Sequence, residues 1–288
     1  MDGRQSRSAA RLWLEALRAR WALRLISGEH SWELAWRTLR WLRLYAAQTA
    51  WLRTVDASPA MRRAARADPR LYERWQQPCI APRFGPAARR RLLAAHYDFV
   101  QRRLPARMRE RLLPGHDLRL APLRLEGRRA ASLHLRKPAR AGAGELALLL
   151  LDGNRAPLAG CTLTFAGDDG LLVARLPDDP APDDAELRAF RQGSHGWHPR
   201  DLLQVLVREL AAFHGLACVR IDPVPPEDGP RSERQEAFGR MATTALLDAF
   251  SGPRPLAHHP GARAQPCGSP AMRKPELRHL LVPGVETG

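Results

Sequence analysis

The 288 residues are enough for one large domain or two ordinary ones, and a hydrophobic share of 44% excludes wholesale disorder. Lys plus Arg number 46 against 30 Asp plus Glu, a net charge of +16, and Lys137 and Lys274 are the only lysines. No apolar run reaches about 18 residues, which excludes a transmembrane helix, and arginines scattered through the first apolar positions argue against a secretory signal.

Residues 1–115 hold 24 Arg and 9 acids, a net of +15, leaving 22 basic and 21 acidic residues for 116–288. Seven of the eight tryptophans share that first region. Two such compositions predict two structural regions meeting near Leu113-Pro114-Gly115. The first reads as helical. Leu12, Trp13, Ala16, Leu17, Trp21 and Leu25 recur at spacings of three and four, and Gly28 is a suitable helix stop. A second helix from about Ser31 to Val55 lines up Trp32, Trp36, Leu39 and Leu42. A short helix fits between Pro59 and Pro69, and Pro86 opens another, Ala87 to Leu104, that buries Leu92, Leu93, His96, Phe99 and Val100. His96 reads as a core histidine with a satisfied hydrogen bond.

Past Pro114 the period changes from helical to alternating. Asp117 to Leu125, Ala131 to Leu135, Glu145 to Asp152, Ala159 to Phe165 and Leu171 to Leu176 read as strands of an antiparallel meander. Residues 176–184, rich in Pro and Asp, read as an exposed loop. A helix over 199–214 opens with His198-Pro199 and ends at Gly215, and a strand from Leu216 to Ile221 returns to the sheet as a crossover. The expected organisation is a basic helical region, 1–115, packed on a mostly antiparallel sheet region, 116–250. A Pro/Gly-rich mobile tail, 251–288, completes this α+β architecture.

The segment 191–200 carries the most chemistry. Two glycines and a following helix N-terminus form the general recipe for an anion site, with Arg191, Gly193, Ser194, His195, Gly196, His198 and Arg200 as candidate ligands. The spacing matches neither a P-loop nor a dinucleotide fingerprint. A plain loop-to-helix turn, with Trp197 packed on the sheet, is the structural alternative. His195 and His198 would need a third ligand, for which Asp222 at the end of the following strand is the candidate, and so sparse a set leads to no metal being expected. No G-x-S-x-G surrounds Ser194, and no catalytic residue is assigned.

Tryptophans on helix stripes can be core, with the arginines as solvated surface. The same pattern also suits a face that meets anionic lipid headgroups or an acidic protein, with Arg37, Arg40 and Arg43 as contacts. Nucleic acid would answer to the same charge, but no recognition motif accompanies it. The four cysteines, Cys79, Cys161, Cys218 and Cys267, are isolated and suit a reducing, cytoplasmic setting.

Several segments resemble the VirK/YbjX family of bacterial proteins, which carries a domain-of-unknown-function label. They are Arg70-Leu71-Tyr72, Leu92-Leu93-Ala94-Ala95-His96-Tyr97, the strand pair LALLLLDGNRAPLAGCTLTF, and His195-Gly196-Trp197-His198-Pro199-Arg200-Asp201-Leu202-Leu203. The last is similar to the family's His-Gly-Leu-Arg-Pro-Lys/Arg-x-Leu-Leu, with Trp197 and His198 in place of Leu-Arg, the mark of a divergent member. The resemblance implies a cytoplasmic protein tied to envelope integrity, antimicrobial-peptide tolerance and virulence; the basic helices add a peripheral place at the inner membrane, and no cofactor is expected. The second half also resembles an acyl-CoA-dependent N-acyltransferase fold. By that analogy the 191–200 loop would hold the pyrophosphate of acyl-CoA.

Overall fold

The computed structural model describes residues 7–27, 30–77, 85–128, 130–138, 144–167, 170–176, 183–220 and 231–251. Gly28, most of the loop expected over 176–184, Asp222 and the tail from 252 lie outside the described residues.

Helices fill the first region: α1 (Ala9–Ser27), α2 (Ser31–Arg43), α3 (Tyr45–Asp56), α4 (Pro59–Ala67), α5 (Pro86–Arg103) and α6 (Ala106–Leu112), with a 3-10 helix at Pro69–Gln76. The single helix expected from Ser31 to Val55 is two, because Leu44 leaves helical geometry at φ −108° and ψ 31°. That break frees α3 to turn its Trp51, Leu52 and Val55 inward. Ser58 caps α4 by accepting the Met61 N–H, and Asp68 caps the 3-10 helix by accepting that of Arg70. Each is followed by a proline at the first helical position, where its missing N–H costs nothing.

Among the described residues no strand precedes Leu118. The sheet runs β1 (Leu118–Arg124), β2 (Ala130–Arg136), β3 (Leu146–Leu151), β4 (Pro157–Phe165), β5 (Leu171–Arg175) and β6 (Cys218–Arg220), in that spatial order. The first five pair antiparallel, and β6 joins β5 in parallel. Pro122 sits in β1, an edge strand, where a residue without an N–H removes no bond between inner strands. The β4–β5 turn needs Gly170 at φ 118°, since a Cβ there would lie 2.4 Å from the Ala217 carbonyl oxygen.

Between β5 and β6 run α7 (Asp184–Gly193) and α8 (Pro199–Phe213), and α9 (Glu233–Ser251) follows. The crossover expected from the sequence is therefore present, with one additional helix, α7. A single apolar core runs from Leu12 and Trp51 through Leu93 and Phe165 to Leu206 and Leu246, so helices and sheet share one interior. The sheet's other face carries a smaller cluster, Ala147, Leu149 and Leu151.

Candidate functional site

The 191–200 segment is not the continuous glycine-relaxed loop that the sequence suggests. Arg191 and Gly193 belong to the last turn of α7, where a Cβ on Gly193 would meet Leu125 at 2.8 Å. This glycine serves close helix packing, not ligand approach. Ser194 caps α7 and donates its hydroxyl to the Trp197 carbonyl, fully buried. His195 then adopts φ 59°, the left-handed conformation usually left to glycine, and the Gly196 N–H returns to the Arg191 carbonyl at 2.7 Å. Together these bonds make a helix-ending motif.

Two residues later the next helix begins. His198 caps α8, its Nδ1 accepting the Arg200 N–H at 3.2 Å. Trp197 is 2% exposed and donates Nε1–H to the Gln235 carbonyl at 2.6 Å, with the Arg231 guanidinium 4.4 Å from its ring centre. It packs under α9, against Gly239, and belongs to the core that helices and sheet share. The two residues that depart from the resembled motif thus have structural tasks here. Arg191 and Gly196 remain exposed, and His195 and Arg200 are half-buried.

The basic helices divide their tryptophans. Trp13, Trp41, Trp51 and Trp75 are buried. Trp13 donates to Thr49 Oγ1, Trp51 to the Leu71 carbonyl and Trp75 to Gln48 Oε1. In α2 the arrangement is reversed. Trp41 faces the core, whereas Trp32, Trp36, Leu39 and Leu42 are 68, 58, 42 and 57% exposed. A core reading of that stripe is therefore overturned: one helix has a single inward face, and Trp41 occupies it. Arg40 and Arg43 are exposed beside the stripe, and Arg43 lies over the Trp36 ring at 5.9 Å. Trp36, Leu39, Arg40 and Arg43 line a shallow depression. Arg37 belongs to α2, but its side chain is outside the described set.

Where helices meet sheet, Glu145 is enclosed. Arg74 donates Nε–H to its Oε1 at 2.9 Å and brings Nη2 to 2.8 Å of the same oxygen, and Tyr97 donates to Oε2 at 2.8 Å. Burial, then the Glu145 charge, pushes the Tyr97 phenol well above its ordinary range. Lys137, 4.0 Å from Asp68, is lowered chiefly by burial. His96 accepts the Phe165 N–H at Nδ1, and burial lowers its pKa to about 4. It is the core histidine expected from the sequence.

A second arrangement has no counterpart in the sequence motifs. His134 Nδ1 lies 2.7 Å from Asp117 Oδ2, and His134 Nε2 lies 3.1 Å from Ser132 Oγ. Alternation along β2 puts residues 132 and 134 on one face. Register places Arg119 opposite His134, so Asp117, two residues earlier, is a diagonal neighbour on that face. The sequence signal was available as Ser-x-His in a strand with Asp at the head of its partner. It became a constellation only once the register was fixed.

A family model, Protein of unknown function (DUF535), matches residues 29–222, from just before α2 to just past β6. This chain belongs to that family. DUF535 is also known as VirK/YbjX, the family its sequence resembles. No curated protein and no solved structure matches. The DUF535 match includes the α2 face, the Glu145 anchor and the Asp117–His134–Ser132 array, and leaves out α1 and α9. Among the described residues no helix is long and apolar enough to cross a membrane.

Proposed function

We propose that this divergent DUF535 protein acts as a peripheral component of the cytoplasmic face of the cell envelope, docking on anionic lipid through α2. The observation that carries this reading is the outward stripe of Trp32, Trp36, Leu39 and Leu42 with Arg40 and Arg43 beside it. Indole rings favour the headgroup boundary, and guanidinium groups pair with phosphate there. The net +15 of residues 1–115 supplies long-range attraction to the same surface. Such a face would occupy the anionic sites that cationic peptides seek, which fits the tolerance and virulence roles implied by the family resemblance. An acidic partner protein would not require exposed indoles.

The test is cosedimentation of the full chain with phosphatidylcholine vesicles, with and without phosphatidylglycerol. Binding should appear with the anionic lipid and fall in the double variant Trp32→Ala, Trp36→Ala. Equal binding to both vesicles, or to neither, refutes the proposal.

A second reading, an acyltransferase-like enzyme using acyl-CoA, draws support from one observation. The β5–α8–β6 crossover closes an antiparallel meander with a parallel pair, as in the fold it resembles. Against it, His198 already holds the Arg200 N–H at the start of α8. A rise in melting temperature with acyl-CoA, lost in Arg200→Ala, would favour this reading.

A further inference from the structure

We propose that Asp117, His134 and Ser132 form a nucleophilic centre that cleaves carboxylic esters, an activity independent of lipid docking. A carboxylate only accepts hydrogen bonds, so the 2.7 Å contact fixes the proton of neutral His134 on Nδ1. Nε2 then has only its lone pair to offer Ser132 Oγ, 3.1 Å away. This is the polarity that general-base activation of a hydroxyl requires: the carboxylate orients the ring, and the ring takes the serine proton.

The surroundings suit that chemistry. Ser132 is 7% exposed and His134 2%, while the Asp117 side chain is 41% exposed, so the array runs from solvent into the sheet face. On β3, Leu151 and Leu149 stand opposite Ser132 and His134, and their apolar side chains limit water around both. On β1, Arg119 is the register partner of His134, and it is exposed. Arg124 and Arg136, also exposed, share that face by alternation. Three guanidinium groups favour an ester that carries an anionic group and offer positive charge where a carbonyl oxygen becomes an oxyanion.

The reaction has two stages. Ser132 Oγ bonds to the ester carbonyl carbon as its proton passes to His134 Nε2. The carbon–oxygen bond to the leaving alcohol then breaks, and that alcohol takes the proton from Nε2, leaving acyl-Ser132. Water, deprotonated by Nε2, attacks the acyl carbon and releases the carboxylic acid. The proton returns to Ser132 Oγ, so the enzyme is regenerated and one water is consumed per ester.

A mere hydrogen-bonded pin between β1 and β2 would not make Ser132 reactive, and that difference is measurable. The full chain is treated with an alkyl fluorophosphonate, which phosphonylates activated serines with loss of fluoride, and is analysed by intact mass and peptide mapping. One adduct is expected, on Ser132, absent from Ser132→Ala. In Asp117→Asn, a change at a side chain partly open to solvent, labelling should slow by roughly 100-fold or more. No adduct, an adduct elsewhere, or an undiminished rate in Asp117→Asn overturns the proposal. The probe is soluble, so none of these outcomes depends on vesicle binding.

Discussion

Arg74 and Glu145, 71 residues apart, meet through a guanidinium nitrogen pair at 2.9 and 2.8 Å, joining the 3-10 helix to the start of β3. The same guanidinium donates to the Gly144 carbonyl, and Tyr97 brings α5 to the other carboxylate oxygen. Three elements therefore share one enclosed charge.

Removing one partner strands the other. Arg74→Ala should cost about 3–5 kcal/mol of unfolding free energy, because Glu145, its side chain 3% exposed, loses its cation. Arg74→Lys should restore only part of that, since an ammonium cannot reproduce the planar fork. Urea unfolding at neutral pH measures both, and an Arg74→Ala cost below about 1 kcal/mol would show the pair to be a solvated one.

Acid should destabilise the fold through two imidazoles whose pKa burial lowers. His96 and His214 are both lowered to about 4, the first chiefly by burial, the second by burial and then Arg103. The unfolded chain binds these protons near pH 6.5, so between that pH and about 4 it holds more protons than the native state. Stability is complete above 6.5 and is lost as pH falls toward 4. For the fully enclosed His96 the loss reaches roughly 3 kcal/mol. Urea midpoints at pH 7 and 4.5 test this, and equal midpoints would refute it.

His195 occupies a glycine's conformation. Replacing it by Gly should raise stability by about 0.5–1 kcal/mol, if its role is to end α7. Gly196→Ala, at φ 96°, should lose about 1–2 kcal/mol. Thermal unfolding of the two variants measures these opposite signs. A destabilised His195→Gly would assign the imidazole a binding contribution beyond the turn.

Lipid docking should be salt-sensitive. Exposed charges are screened over about 8 Å at physiological ionic strength, so vesicle binding should weaken steeply between low and high salt. The triple variant Arg37→Gln, Arg40→Gln, Arg43→Gln should bind less while keeping its melting temperature, as Arg40 and Arg43 are exposed. Indole emission should shift to the blue on binding, through Trp32 and Trp36. Emission unchanged during binding would move the contact away from α2.

Periodicity alone determined that the elements before Leu112 are helices, as the described residues have them, and that a meander begins near residue 117, because spacing of apolar residues is a local property. It also located the α8 crossover, whose His198-Pro199 start and Gly215 stop are local signals. It named no separate element for the 3-10 helix at Pro69–Gln76 or for α6, and it missed α7 and α9. The Pro/Asp-rich stretch before α7 masked a start capped by Asp183, and α9 displays its stripe, Phe238, Ala242, Leu246 and Phe250, only at four-residue intervals. Tertiary packing decided the rest. Trp32 and Trp41 have the same local pattern, and only the direction in which α2 meets α1 and α3 leaves one outside and one in the core. The 191–200 glycines were legible as turn residues, but not which one serves packing and which the positive φ. Ser132, His134 and Asp117 are ordinary strand residues until the β1–β2 register brings them within hydrogen-bond distance, since strand pairing is a relation between segments that neither contains alone.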